Sequence, residues 1–375
     1  MRRSLSCAGA SARSVDREEQ LPHIAVHTIV TPAHAGIFRG KGTPELLETP
    51  ACAGVTCWLA DGGVGLPRLR RKTAMTDQTS PDLDLALGFT IPARHARGRI
   101  VRLGPVLERI LSAHAYPAPI EALLADALTL TALIGSTLKD AGGQLTLQAQ
   151  TDNGIVSLLV CDYRGGELRG YVQYDAGRLA DAPVDPSLFA LFGSGYLAIT
   201  FDQATTGERY QGIVPLDGDS IADAAANYFV QSEQIPTLIR LGRAANGRVT
   251  GGLFLQHLPE GEEGRERLHV RQDHPEWEHV SLLGATMGAD ELTDAALPLE
   301  TLVWRLFNEE PEVRILNAQP IVRGCRCSPD YIAQVLGKFP IEEQREMADE
   351  TGVITVDCAF CATKYPVLIE DRCES

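Results

Sequence analysis

Four cysteines near the C-terminus form two close pairs. Cys325 and Cys327 lie in the stretch RGCRCSPDY, and Cys358 and Cys361 lie in VDCAFCATKY, with thirty residues between the pairs. Two pairs of thiols at this spacing are typical of a tetrahedral Zn²⁺ site, because zinc binds thiolate sulfurs at short range. The alternative, two chance pairs of small buried thiols, explains the spacing less well.

A Zn²⁺ ion held by four thiolates has no free position for water, so we expect a structural rather than a hydrolytic site. The sequence contains no H-E-x-x-H, G-x-S-x-G or P-loop motif that would supply other catalytic chemistry. Oxidation of either cysteine pair to a disulfide removes two ligands and releases the metal. The redox state of the thiols is therefore expected to control the folding of the zinc-dependent region.

Two alternative functions would use the same cysteines. A thiol-disulfide oxidoreductase would use Cys358 and Cys361, but that motif normally begins a helix in a βαβ unit. A zinc-ribbon module would bind nucleic acid, which requires a basic surface. Turnover of a disulfide substrate would favour the first alternative, and salt-sensitive RNA binding would favour the second.

The C-terminal region that holds the cysteines, residues 323–370, has few large apolar residues. Ser328 and Pro329 predict the start of a helix between the two pairs. Apolar runs on both sides of Cys358–Cys361 predict a β-hairpin with this pair at its tip, a zinc knuckle. Because such a region has too small a core to fold alone, metal binding is expected to supply most of its stability.

An amphipathic helix is predicted shortly before the first cysteine pair. Its apolar face consists of side chains at helical spacing, namely Leu299, Leu302, Val303, Leu306 and Phe307. Such a short helix needs an apolar surface to pack on, since it is unstable alone in water. It belongs to a predicted linker, residues 260–322, which opens with a polar stretch typical of a domain boundary.

Residues 83–259 predict an N-terminal domain. Pro119–Lys139 has the apolar spacing of a core helix, and Gly142-Gly143 ends it. Gln144–Gln150 alternates apolar and polar residues, and further strands follow in a meander. The predicted fold class is α+β: a strand-rich N-terminal domain with a core helix, a helical linker, and a small C-terminal zinc-binding domain with a zinc-knuckle hairpin.

The chain of 375 residues has a net charge of −15 and contains nine cysteines. Residues 1–74 carry ten Lys and Arg against six Asp and Glu, so their net of +4 leaves −19 for residues 75–375. We therefore expect neither nucleic acid nor an anionic membrane as a partner, and no stretch approaches the roughly 20 apolar residues of a membrane span. Cysteines in pairs, rather than in a dense framework, indicate a reducing cytoplasm.

Residues 1–74 show no sustained helical or strand period and are broken by Gly and Pro. Their Arg- and Ser-rich beginning is only weakly similar to a targeting peptide, because the apolar run that follows is too short for a secretory core. We expect them to be a non-native or disordered extension, with the natural start at Met75.

The sequence resembles the 33-kDa heat-shock proteins, a family of redox-regulated holdase chaperones. The resemblance covers roughly Leu83–Cys361 and has no counterpart for residues 1–74. It rests on the cysteine spacing and on five further segments: GSGYLAITF at 193–201, GERYQGIVPLDGD at 207–219, YFVQSEQIPT at 228–237, GGLFLQ at 251–256 and LVWRLFNEE at 302–310.

The resemblance implies a function and its partners. The four cysteines would hold Zn²⁺ in a reduced, inactive state. Peroxide with heat would join Cys358 to Cys361, and Cys325 would then pair with Cys327. The linker would unfold and expose a surface that captures unfolding client proteins without ATP. The protein would be a cytoplasmic chaperone rather than an enzyme, and a homodimer when active.

Overall fold

An 18-residue helix lies between two β-sheets in the computed structural model of the protein, which describes residues 82–140, 142–258 and 273–368. Up to residue 258 the elements are β1 (Leu85–Ile91), β2 (Ala96–Leu103), α1 (Pro105–Leu111), α2 (Ala118–Gly135), β3 (Gln144–Gln150), β4 (Val156–Arg164), β5 (Glu167–Tyr174), α3 (Ala176–Ala180), α4 (Leu188–Phe192), β6 (Tyr196–Asp202), β7 (Arg209–Pro215), α5 (Ile221–Tyr228), β8 (Thr237–Arg243) and β9 (Thr250–His257). After residue 273 they are α6 (Pro275–Ala285), α7 (Ala289–Thr293), α8 (Leu299–Phe307), β10 (Arg314–Ile315), β11 (Gln319–Pro320), β12 (Val322–Arg323), α9 (Pro329–Leu336), α10 (Ile341–Met347), β13 (Val353–Asp357) and β14 (Lys364–Leu368). A 3₁₀ turn at Pro92–Arg94 and a π-helical turn at Phe229–Glu233 complete these elements.

The strands of the described residues form two larger sheets and one hairpin. The first sheet has the order β10-β1-β2-β9-β8, and β11 also pairs with β1. The second sheet has the order β12-β5-β4-β3-β6-β7, in which β12 runs parallel to β5. The predicted meander is confirmed by the antiparallel pairing of β3, β4 and β5. The predicted C-terminal hairpin is confirmed by the pairing of β13 with β14.

Helix α2 forms the core between the two sheets. It packs on β2 and β9 on one side and on β3, β4 and β5 on the other, so most of its residues are buried. Among the described residues it is the one helix with the length and hydropathy of a membrane span, which the sequence analysis did not single out. Its position explains its composition, because a helix between two sheets is apolar on all sides.

The outer face of the first sheet is covered by α6, α7 and α8. Sheet residues such as Phe89 and Leu255 form one apolar cluster with residues of these helices. On α8, Leu306 is partly buried against this cluster and the other four residues of the predicted apolar face are buried within it, namely Leu299, Leu302, Val303 and Phe307. The ring centroids of Phe89 and Phe307 lie 5.7 Å apart. The linker helices thus hide an apolar sheet surface from water.

A buried arginine fixes the turn between α7 and α8 to the sheet. Arg102 of β2 has no exposed surface. Its guanidinium donates hydrogen bonds to the carbonyl oxygens of Leu292 and Leu297, both at 2.8 Å, and of Glu291 at 3.3 Å. Glu291 and Leu292 lie in the last turn of α7, where backbone acceptors need partners and a cation is favourable. Asp82 accepts the backbone N–H of Leu299 at 3.1 Å and so supports the start of α8.

The described part of the predicted linker contains short strands as well as the helices α6, α7 and α8. After α8 the chain forms three two-residue strands, which pair with edge strands of both sheets. Strands this short show no period that a sequence pattern can reveal. The domain boundaries at residues 83–259, 260–322 and 323–370 stay predictions, and the extension predicted at residues 1–74 lies outside the described residues.

Replacement of Arg102 by Met is expected to loosen the α7–α8 turn. The carbonyls of Leu292 and Leu297 would lose the donor that Arg102 supplies, which costs about 2–4 kcal/mol of the free energy of unfolding. Chemical denaturation measures this loss, and amide exchange of residues 289–299 locates it. Arg109→Met on the exposed side of α1 is the control, with an expected change within about 0.5 kcal/mol. Equal effects of the two variants would contradict the role of Arg102.

Candidate metal centre

Two loops of the C-terminal region bring the four cysteines together. Cys325 and Cys327 lie between β12 and α9, and Cys358 and Cys361 lie in the turn between β13 and β14. The hairpin turn is closed by hydrogen bonds from the N–H of Ala362 to the carbonyl of Cys358, at 2.8 Å, and from the N–H of Cys358 to residue 363. Ala362 has a φ of 54°, the left-handed conformation that the tight turn needs.

The four Sγ atoms all lie within 4.8 Å of one another. Cys325 and Cys327 have their sulfurs 3.1 Å apart, the Cys325–Cys358 distance is 3.6 Å, and the Cys327–Cys361 distance is 3.4 Å. A tetrahedral Zn²⁺ with Zn–S bonds of about 2.3 Å needs sulfurs about 3.8 Å apart. Small outward movements of the side chains would therefore admit the metal. Among the described residues this is the one such group of His, Cys, Asp or Glu.

Hydrogen bonds around the sulfurs orient the thiols. The Tyr365 hydroxyl donates to Cys327 Sγ at 3.0 Å, and Cys361 Sγ donates to the hydroxyl of Thr363 at 3.2 Å. A hydrogen bond from Cys325 holds the pKa of Cys358 below its usual value, while the same bond, with burial, raises the pKa of Cys325 to about 12. A donor such as the Tyr365 hydroxyl, which fixes the sulfur of Cys327, is typical of metal sites.

The residues between the paired cysteines contact the second sheet. Arg326, inside the first pair, donates a hydrogen bond to Oε1 of Gln144 at 2.5 Å. Phe360, inside the second pair, packs edge-on against Tyr171, with ring centroids 4.9 Å apart. The guanidinium carbon of Arg169 lies 3.9 Å from the centroid of the Phe360 ring. The two cysteine loops thus contact the second sheet directly, beside the pairing of β12 with β5.

A buried ion pair holds Arg169 in place. Arg169 on β5 and Asp162 on β4 are cross-strand partners, and Nη2 of the arginine donates to Oδ2 of the aspartate at 2.6 Å. Asp162 also accepts a hydrogen bond from Thr146 at 2.7 Å. The sequence analysis missed these residues; the only signal was an aromatic residue inside the Cys358–Cys361 pair.

The predicted site residues fall into two places in the structure. The four cysteines lie together against the second sheet, whereas the predicted apolar face of α8 packs on the first sheet. Residues 314–323 join the two places, and we call this segment the strap. A cluster of four thiols has the chemistry to bind a soft cation or to form disulfides.

Comparisons with known proteins agree on one family. The pattern of the family described as "Hsp33 protein" matches residues 84–367. A 33 kDa chaperonin of Caulobacter vibrioides is 41% identical over 305 residues, which cover 78% of this chain and 98% of the relative. A 33 kDa chaperonin of Pseudomonas fluorescens is 36% identical over 293 residues, covering 78% of this chain and 92% of the relative.

A solved structure has the same fold. The crystal structure of a 33 kDa chaperonin from Thermotoga maritima superposes with a TM-score of 0.62 and covers 76% of this chain and 95% of its own. The two sequences are 24% identical. The α+β fold class predicted from the sequence is therefore confirmed.

Replacement of any one of the four clustered cysteines by Ser is expected to remove most of the bound zinc from the reduced protein, since three thiolates hold the ion much more weakly. Zinc per chain, measured by atomic absorption after gel filtration, tests this. Cys161→Ser and Cys373→Ser are the controls: Cys161 is fully buried in the core, and Cys373 lies outside the described residues. Loss of zinc from the Cys373 variant would contradict the ligand set.

Phe360→Ala is expected to leave zinc bound but to weaken the contact with β5 by about 2–3 kcal/mol, because a nearly buried aromatic side chain is lost. Faster amide exchange at residues 322–324 reports the weakened contact. Tyr331→Ala, which removes an exposed aromatic ring from α9, is the matched control. Unchanged exchange in the Phe360 variant would show that this ring does not hold the region on the sheet.

Proposed function

We propose, from the premise that this chain belongs to the Hsp33 family, that it is a redox-regulated, ATP-independent holdase whose four cysteines form the switch. A chaperone role follows from the family itself. Redox regulation is supported by one observation. Four thiols come together in a region that has very little apolar core of its own. A bound Zn²⁺ ion would hold Cys325, Cys327, Cys358 and Cys361 as thiolates and supply folding free energy.

The proposed switch is the oxidation of the cysteine pairs. The thiolates of Cys358 and Cys361 lose two electrons to hydrogen peroxide and their sulfurs form a disulfide, while the peroxide takes two protons from the solvent and becomes two molecules of water. Cys325 and Cys327 do the same with a second peroxide. Each disulfide removes two of the four zinc ligands.

Loss of the metal ligands destabilises the C-terminal region. Its own apolar cluster contains four buried residues, namely Ile332, Leu336, Ile354 and Val356. So small a cluster does not offset the entropy of ordering about 45 residues. Once this region unfolds, the strap loses its attachment at residue 324, and α8 is held only by its own contacts with the first sheet.

The proposed client surface is the apolar cluster that the linker covers. On the sheet side it contains buried residues of β1, β2 and β9, and the linker contributes the apolar face of α8. Unfolding proteins expose apolar side chains, which a large uncovered apolar surface binds without ATP. We further propose a homodimer in the active state and a cytoplasmic location, with no nucleic acid or membrane as partner.

One observation favours a second function. The Cys-x-x-Cys spacing of Cys358 and Cys361 is also what a thiol-disulfide oxidoreductase would need. Such enzymes place the reactive pair at the start of a helix, whereas here Cys358 and Cys361 lie in a hairpin turn beside two further thiols. We therefore keep the holdase as the proposed function.

Reduced, zinc-loaded protein treated with peroxide at raised temperature is expected to release its zinc and to suppress the aggregation of a denatured client. A chromogenic chelator follows the zinc, and light scattering follows the client. Cys358→Ser is expected to lack the redox response, and Cys373→Ser is the control that should retain it. Zinc release without suppression of aggregation would exclude the holdase, and turnover of a disulfide substrate would favour the oxidoreductase.

A further inference from the structure

We propose that the edge of β1 is a second capture site, which binds an extended segment of an unfolding client as an additional strand after the strap has left. The proposal rests on the proposed function, because unfolding of the C-terminal region is what frees the strap. The site differs from the apolar surface under the linker helices, since it recognises a polypeptide backbone rather than side chains.

In the structure the strap occupies this edge. Its strands β10 and β11 both pair antiparallel with β1. The N–H of Leu316 donates to the carbonyl of Gly88 at 2.8 Å, and the N–H of Ile321 donates to the carbonyl of Asp84 at 2.7 Å. β1 therefore already accepts an extended segment along this edge, from a part of the chain more than 200 residues away.

The strap is held mainly through its backbone. Three of its apolar side chains are between 40% and 52% exposed, namely Ile315, Leu316 and Val322. Ile321 is the exception, with 2% exposure and a place in the main core. Beyond it the strap continues into Gly324 and the first cysteine pair. A segment anchored by one side chain and by its C-terminal neighbour is expected to detach when that neighbour unfolds.

Without the strap, β1 becomes a bare edge of seven residues. Residues of a strand direct their backbone groups alternately to the two sides. Since the Gly88 carbonyl faces the strap, the backbone groups of Ala86 and Thr90 face the same side, while those of Leu87 and Phe89 face β2. Five of the seven residues of β1 are buried in the structure, where the strap is in place. A long, flat, apolar edge of this kind readily pairs with another extended chain.

The strap also covers part of the edge of β5 through β12. This second edge is less open to an added strand. The Tyr116 hydroxyl accepts the N–H of Val172 at 3.0 Å and donates to the carbonyl of the same residue at 3.2 Å. Tyr116 lies between α1 and α2, outside the strap, so it stays in place when the strap detaches. It closes the middle of the β5 edge, so β1 is the one of the two edges covered by the strap that its release would open to a new strand.

The partner that fits is an extended segment of an unfolded protein, with apolar residues at alternate positions. Backbone pairing makes the contact tolerant of sequence. Alternate side chains of the added strand would lie beside Leu87, Phe89 and Ile91, which border the apolar surface that the linker helices had covered. Folded proteins keep their extended segments paired in sheets, so this site would not bind them.

Three peptides test whether capture depends on the backbone. The first is a fluorescent ten-residue peptide of alternating Val and Thr with terminal Lys for solubility. The second carries N-methyl groups on its four central residues, which block both edges of the strand. The third has four Val replaced by Ile, which adds the same atoms to side chains and keeps every N–H. Fluorescence anisotropy measures their binding to oxidised, zinc-free full-length protein and to the reduced, zinc-loaded form.

We expect the oxidised protein to bind the Ile peptide at least as tightly as the parent, and the N-methylated peptide about tenfold or more weakly. The reduced form should bind none of them. Equal binding of the N-methylated and Ile peptides would overturn the edge site and leave capture by side chains. Suppression of client aggregation without any peptide binding would overturn it as well. Backbone-dependent peptide binding without suppression would overturn the proposed function and leave the edge site.

Variants of Thr90 place the site on β1. Thr90→Pro removes one N–H from the side that the strap occupies, and proline is tolerated on an edge strand whose N–H faces outward. Thr90→Val keeps the N–H and is the matched control. We expect the proline variant to bind the parent peptide about threefold to tenfold more weakly and the valine variant to match the unmodified protein. Equal binding by both variants would show that the added strand does not pair with β1.

Discussion

The small size of the C-terminal core is the constraint on which the rest of the structure depends. Four buried apolar side chains hold α9 to the β13–β14 hairpin, and no larger cluster of that region exists among the described residues. Four thiols lie at the junction of its two loops instead. In the proposed function, ligand bonds would supply the stability that elsewhere comes from apolar burial. Every contact that this region makes with the sheets would then depend on the state of the thiols.

The two sheets are covered by different parts of the same C-terminal segment. The linker helices lie on the first sheet, and the cysteine loops contact the second through Phe360 and Arg326. The strap runs along the edges of both. A change at the cysteines thus reaches the second sheet through direct contact and the first sheet only through the strap. Arg102 holds the linker turn by hydrogen bonds that do not involve the cysteine region, so in the proposed switch the release of the linker would need a second event.

Local patterns predicted much of this structure. The cysteine spacing, the apolar period of α2 and the polar–apolar alternation of β3 each reflect a contact within or next to one element. The apolar stripe of α8 predicted that the helix covers a surface, although it did not identify the first sheet as that surface. The hairpin at Cys358–Cys361 followed from two apolar runs on either side of a short turn.

Local sequence patterns could not predict the contacts between segments that are distant in the chain. Arg102 stands in a strand-like run where a charged residue normally faces water, and its carbonyl partners lie some 190 residues further along the chain. The strap strands have two residues each, too few for a period. Phe360 and Tyr171 meet only because the whole C-terminal region folds back on β5. Each of these contacts depends on the tertiary arrangement rather than on the local sequence.

The pairing of β1 with the strap also sets an order of events during synthesis. Leu85 and Pro320 are partners about 235 positions apart, so β1 leaves the ribosome long before the segment that covers its edge. Pairings of such long range form late and slowly. Until then the nascent chain carries an uncovered edge and an arginine without its carbonyl acceptors. The growing protein thus passes through a state that itself requires protection from aggregation.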